Sequence, residues 1–165
     1  MPKISPFLWF DTQAEDAAAL YTSVFPDSKI TEVHRYGAGG PGPEGAVMLV
    51  QFQLDGQDFT ALNGGPEHYT FNESVSFVVD CRDQADVDHY WDALTADGGE
   101  PGPCGWLKDK YGLSWQIVPA ALNELLSDPD PGRSSRAMQA MLKMTKIDVA
   151  ELRAAADNAE QAGVA

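Results

Sequence analysis

Three histidines, two cysteines and one glutamine embedded in an apolar strand are the residues of this chain best suited to chemistry. An imidazole titrates near neutrality and suits general-base work. His34, His68 and His89 nevertheless fall in separate elements: a strand after Val33, the loop before Tyr69, and the flank of an apolar helical stripe. Such scatter gathers no metal site, and it leaves His34 as the one candidate base. Cys81 and Cys104 lie far apart in sequence, a pattern that in a reducing compartment reads as small buried hydrophobes rather than a disulfide. Both are expected to stay reduced. Cys104, between Pro103 and Gly105, is the candidate reactive thiol, although nothing beside it in sequence lowers its pKa. Gln116, within "LSWQIV", offers one acceptor and two donors, to a bound molecule or to a buried polar neighbour. Because strand side chains alternate, Gln116 and Trp115 must face opposite ways. If Gln116 faces a site, Trp115 packs against a helix.

The elements that would position these groups come in two similar runs. "ISPFLWFD" (4–11) reads as a strand leading into Thr12 and Glu15, a capping-box pair, with Ala17, Leu20, Tyr21, Val24 and Phe25 on one helical face before Pro26 ends the pattern. Strands are predicted at 29–36, 46–54 and 57–63, the last two joined by the hairpin signal Asp55-Gly56. The glycine-rich 37–45 joins two strands and opens no helix, so it is a flexible loop and not a phosphate cradle. The order then repeats. "SVSFVVD" (74–80) is a strand, Asp83 caps a helix striped by Val87, Tyr90, Trp91 and Leu94, and "CGWLKD" and "LSWQIV" follow the Gly/Pro turn at 98–103. Asp11 matches Asp80 and Tyr21 matches Tyr90 at one constant offset, the mark of an internal repeat. From about 120 helix formers dominate, with Met138, Met141 and Leu142 on one face and Asp148 with Glu151 starting a helix that carries Val149 and Leu152.

At 165 residues the length suits a single domain, residues 1–165, and 44% apolar composition suffices for a packed interior. A net charge of −14, from 25 acidic and 11 basic side chains with no segregated basic patch, argues against nucleic acid or an anionic membrane as partner. No apolar run is long enough to span a bilayer, and "MPKISPFLWF" does not read as a signal peptide, so a cytoplasmic protein is expected.

With "FLWFD" and "YTSVF", "ALNGGPEHYTFNESVSFVVDC", "VDHYWDAL", "CGWLKDKYGLSWQIVP" and "MQAMLKMTKID", nearly the whole chain resembles the vicinal oxygen chelate superfamily of glyoxalase, bleomycin-resistance and extradiol dioxygenase folds. More narrowly it resembles the PhnB-like branch, often labelled 3-demethylubiquinone-9 3-methyltransferase. The resemblance implies an α+β fold of two βαβββ modules, residues 1–70 and 71–119, curling into an open, cup-like half barrel, with a helical extension at 120–165. Metal-dependent relatives place four ligands on the first and last strands of the modules. The matching positions here are Ser5 or Pro6, Ala61, Ser74 and Gln116, which supply no imidazole and no carboxylate, so no metal and no cofactor is expected. The resemblance also implies that the cup is lined by Phe7, Trp9, His34, Asn63, Ser74, Ser76, Trp106 and Gln116, aromatic walls with a few orienting polar groups.

Three functions fit this pattern: a metal-free binder of a small planar or aromatic molecule; an enzyme of glyoxalase, transferase or isomerase type using side chains such as His34 or Cys104; and a dimeric structural or regulatory partner. The first is the expected one. A homodimer is expected as well, because the tail's Met138, Met141, Leu142, Val149 and Leu152 exceed what a small two-module core should need.

Overall fold

The computed structural model describes residues 3–67 and 69–158; His68 lies outside them. The chain separates into two compact units, one ending at Tyr69 and the other beginning at Thr70. In the first, β1 (Phe7–Phe10) leads into α1 (Ala14–Val24), then β2 (Lys29–Arg35), β3 (Val47–Leu54) and β4 (Gln57–Asn63). The sheet order is β1-β4-β3-β2, with β1 parallel to β4 and the other pairs antiparallel. The second unit repeats the plan with β5 (Ser76–Cys81), α2 (Gln84–Thr95), β6 (Glu100–Pro101), β7 (Trp106–Lys108) and β8 (Ser114–Pro119), ordered β5-β8-β7-β6. Two four-stranded mixed sheets, neither closed into a barrel, make this the expected α+β fold.

Each sheet buries one face and leaves the other open, as period-two alternation dictates. In the first unit Leu8, Phe10, Val50, Phe52, Phe59 and Ala61 are buried, as are Ala14, Ala17, Ala18 and Tyr21 on α1. In the second, Val79, Cys81, Leu107, Trp115 and Ile117 are buried with Val87, Trp91 and Leu94 of α2.

Three local expectations change. Thr12 does not cap α1: the helix starts at Ala14, and its first free N–H donates to Asn63 Oδ1 at 2.8 Å, so the cap comes from β4 and not from the preceding residues. The segment from Cys104 is not yet strand. Cys104 and Gly105 both sit in the left-handed region, at φ 57° and 81°, and a Cβ on Gly105 would lie 2.8 Å from the Ile117 carbonyl oxygen, which only glycine avoids. The two-residue edge strand β6 also escapes the pattern, since proline and brevity hide it. Asp83 and Asp148 cap α2 and the last helix as their sequence context predicts, accepting from Asp86 N at 3.0 Å and Glu151 N at 2.8 Å.

The tail forms α3 (Ala120–Leu126), α4 (Pro131–Met141) and α5 (Val149–Asp157). It builds its own core from Leu122, Leu125, Ala137, Met144, Ile147, Leu152 and Ala156, against which Met141 also packs. Much of the apolar stripe is therefore used within the unit. Met138 and Leu142 remain exposed. No described helix is long and apolar enough to cross a membrane.

Candidate functional site

The pairing registers fix which side chains share the open face of the second sheet. Ser76, Ser114, Lys108 and Glu100 stand in one transverse row across β5, β8, β7 and β6, and Val78, Gln116 and Trp106 stand in the next. Gln116 therefore faces the open side, where its Nε2 donates to Ser76 Oγ at 2.9 Å. Trp115 points into the core and donates its indole N–H to Asp109 Oδ2 at 2.9 Å. Ser74 lies in the turn before β5, exposed, its N–H bonded to Asn72 Oδ1; Ser76 is the serine that the sheet presents.

A cavity of about 510 Å³ lies over β6, β7 and the start of β8, lined by Trp106, Lys108, Ser114, Cys104, Glu73 and Glu100 among others. Its volume is in the range of small-molecule sites. Two polar features stand out. Ser114 Oγ is buried with no hydrogen-bond partner, which few buried polar atoms in folded proteins tolerate. Beside it, Lys108 Nζ lies 2.6 Å from Glu73 Oε1, a bond that holds the ammonium above the usual lysine range and the carboxylate below its own. Asp109 positions this pair. Buried at 2% exposure, it accepts from Tyr111 N (2.9 Å) and Leu113 N (3.1 Å), and so closes the turn that sets Lys108 opposite Ser114.

On the first sheet Trp9, Leu62, Leu49 and His34 share an open-face row, and Phe7, Thr60, Gln51 and Glu32 the next. His34 is exposed and bonded to Glu32 Oε2 at 2.9 Å. Ala61, expected to face the cup, is instead fully buried on the helix side, and Thr60 holds the open position. Asn63, expected to line the cup, is occupied structurally: its Oδ1 caps α1, and its Nδ2 donates to the Val47 carbonyl at 3.1 Å. A larger cavity, about 750 Å³, ends this sheet between Trp9, Tyr36, Leu62 and the first turn of α1. Its aromatic polar groups are already engaged: Tyr36 O–H donates to the Asn63 carbonyl at 2.6 Å, and Trp9 Nε1–H to the Gly65 carbonyl at 3.2 Å. The second sheet, with its unpartnered hydroxyl, is the better candidate.

The fold's metal chemistry needs imidazole or carboxylate ligands on these open faces. At the open-face positions nearest the expected ligand sites stand Thr60 on the first sheet and Ser76 and Gln116 on the second, hydroxyls and an amide, which do not fit a first-row divalent ion. Among the described residues no three His, Cys, Asp or Glu side chains are grouped to hold one. Cys81 is equally unsuited to reaction, since burial and the nearby carboxylates of Asp86, Asp80 and Asp83 push its thiol up to about 12.

Sequence reasoning passed over Ser114, Lys108, Glu73 and Asp109. One signal was available: Ser114 stands two residues before Gln116 and so shares its face, and the five residues between Lys108 and Ser114 form a turn that makes the two cross-strand partners. Glu73 carries no such signal, because only the folded loop brings it to Lys108.

No curated protein of known function matches the chain. Among solved structures, the PhnB protein of Bacillus cereus is 36% identical, with a TM-score of 0.65 over 72% of this chain and 100% of that one. A Pseudomonas aeruginosa protein at 17% identity (TM-score 0.60, over 72% and 98%) shares the fold. So does the fosfomycin resistance protein FosX of Listeria monocytogenes, solved with Mn(II) and sulfate, at 15% identity (TM-score 0.52, over 76% and 98%). Residues 2–118 match the family described as 3-demethylubiquinone-9 3-methyltransferase. The chain belongs to that family, the PhnB-like branch of the vicinal oxygen chelate superfamily.

Proposed function

We propose that this chain is a metal-free small-molecule-binding protein, which takes a planar or aromatic ligand on the open face of its second sheet. The observation that carries the proposal is Ser114: a buried hydroxyl without a partner, in a cavity walled by Trp106 and the prolines at 101 and 103. A cytoplasmic setting, with reduced cysteines and neither nucleic acid nor membrane as partner, belongs to the same proposal. Methyl transfer, which the family description names, finds no support in either strand-to-helix junction. The common methyl-donor site is a glycine-rich turn within a parallel sheet, whereas the residues here are Asp11-Thr12-Gln13 and Arg82-Asp83.

Purified protein is expected to contain no stoichiometric Zn, Ni, Mn or Fe, and a chelator is expected to leave its melting temperature unchanged. Gln116→Glu is expected to bind no ion either, because one carboxylate among neutral oxygens is a charge without partners. Elemental analysis reads both, and one metal per wild-type chain would return metal-dependent catalysis to first place. The binding itself is tested by a thermal-shift screen, since a ligand of the native state raises its stability.

A side-chain enzyme is the second reading, favoured by Cys104, whose backbone is held at φ 57° on the wall of the same cavity. Selective labelling of Cys104 by electrophiles shaped for the cavity would support it.

A homodimer is proposed on the exposed Met138 of α4 and Leu142, which follows its last residue. Light scattering across micromolar concentrations is expected to give twice the chain mass, and a constant single-chain mass removes the dimer.

A further inference from the structure

Resting on the reading of this face as a binding site, we propose that its ligand is a planar aromatic carboxylate. The carboxylate accepts from Ser114 Oγ–H and Lys108 Nζ–H, where Glu73 stands in the free protein, and the ring lies against Trp106. Ser114 and Lys108 are directly paired across β8 and β7, so their Cβ atoms stand roughly 5 Å apart on one face. One carboxylate spans a hydroxyl and an ammonium at that separation, through charge-assisted hydrogen bonds.

Each donor calls for an acceptor oxygen on the ligand. The Ser114 hydroxyl is buried and has none. Lys108 has one, but it belongs to Glu73, whose side chain is 59% exposed in the segment before β5 and can turn out to water. Exchanging the Glu73 carboxylate for a ligand's leaves the charge around Lys108 unchanged, so binding avoids the desolvation penalty of an uncompensated ion. Glu100, the outer member of the row, also lines the cavity, but it is exposed, and among the influences that raise Lys108 its charge is the smallest. A cationic ligand would meet the ammonium at the middle of the row. An apolar one would leave Ser114 unpaired.

The test is calorimetric titration of the whole protein with 2-naphthoate, 2-naphthamide and 2-naphthylmethylammonium, which share a ring system and differ in charge. Naphthoate is expected to bind at least about tenfold more tightly than either of the others. Glu73→Gln removes the internal competitor and should tighten naphthoate severalfold while leaving naphthamide unchanged. Ser114→Ala should weaken naphthoate by about tenfold, with a melting temperature no lower than wild type, because it deletes a hydroxyl that nothing in the free protein satisfies. Equal or tighter binding of the amide or the ammonium, or weaker naphthoate binding in Glu73→Gln, overturns the carboxylate assignment and leaves the binding site standing. No binding by any of the three removes the small-molecule site on this face together with it.

Discussion

Asp109→Ala is expected to lower folding stability by roughly 3–5 kcal/mol, because it leaves the amides of Tyr111 and Leu113 and the indole N–H of Trp115 without their acceptor in a buried turn. Each stranded donor costs about 1–3 kcal/mol, and partial access of water to the turn keeps the total below the simple sum. Asp109→Asn keeps one carbonyl oxygen for the two backbone donors, but it turns an N–H towards the indole. A smaller loss, about 2 kcal/mol, is expected for it. Urea denaturation followed by tryptophan fluorescence measures both, and a loss under 1 kcal/mol for the alanine variant would show the turn to be held by other means. The same substitution should loosen the register that places Lys108 opposite Ser114. Naphthoate affinity is then expected to fall even under conditions where the variant is fully folded.

Leu152→Ala is the second large effect, a loss of about 2–5 kcal/mol. Leu152 has no exposed surface and lies at the centre of the tail core with Ile147, Leu122 and Leu125. Helical geometry alone marked this residue as apolar and on the stripe, but not what covers it. A leucine at a subunit interface would give a loss that changes with protein concentration as the subunits part; one in the chain's own core gives a loss independent of concentration. The difference between wild-type and variant denaturation midpoints, read at two concentrations, separates these cases, and an unchanged difference is the expected result.

The two-module plan was legible because it rests on local signals: Asp55-Gly56 between alternating strands, Asp83 and Asp148 before apolar helical stripes, and the repeat that aligns Asp11 with Asp80. Even the orientation of Gln116 reduced to an either-or choice, because alternation ties it to Trp115. What stayed hidden depends on contacts distant in sequence. The acceptor that caps α1 comes from Asn63, and nothing in "DTQAED" announces it. Ala61 and Thr60 differ by one position, which is the whole distance between the two faces of a strand. The Lys108–Glu73 pair forms between segments that no periodicity connects.

Cys104 and Gly105 donate their backbone N–H groups to the carbonyls of Met144 and Thr145, each at 2.8 Å, while Ile117 N returns to the Gly105 carbonyl at 2.8 Å. The cavity wall and the segment leading into α5 are thus hydrogen-bonded to each other directly. By linkage, a ligand that binds only while these bonds hold the wall in place would also hold the tail, and a change that loosens the tail would weaken that ligand by the same factor. The helical extension is thus a brace for the cavity wall.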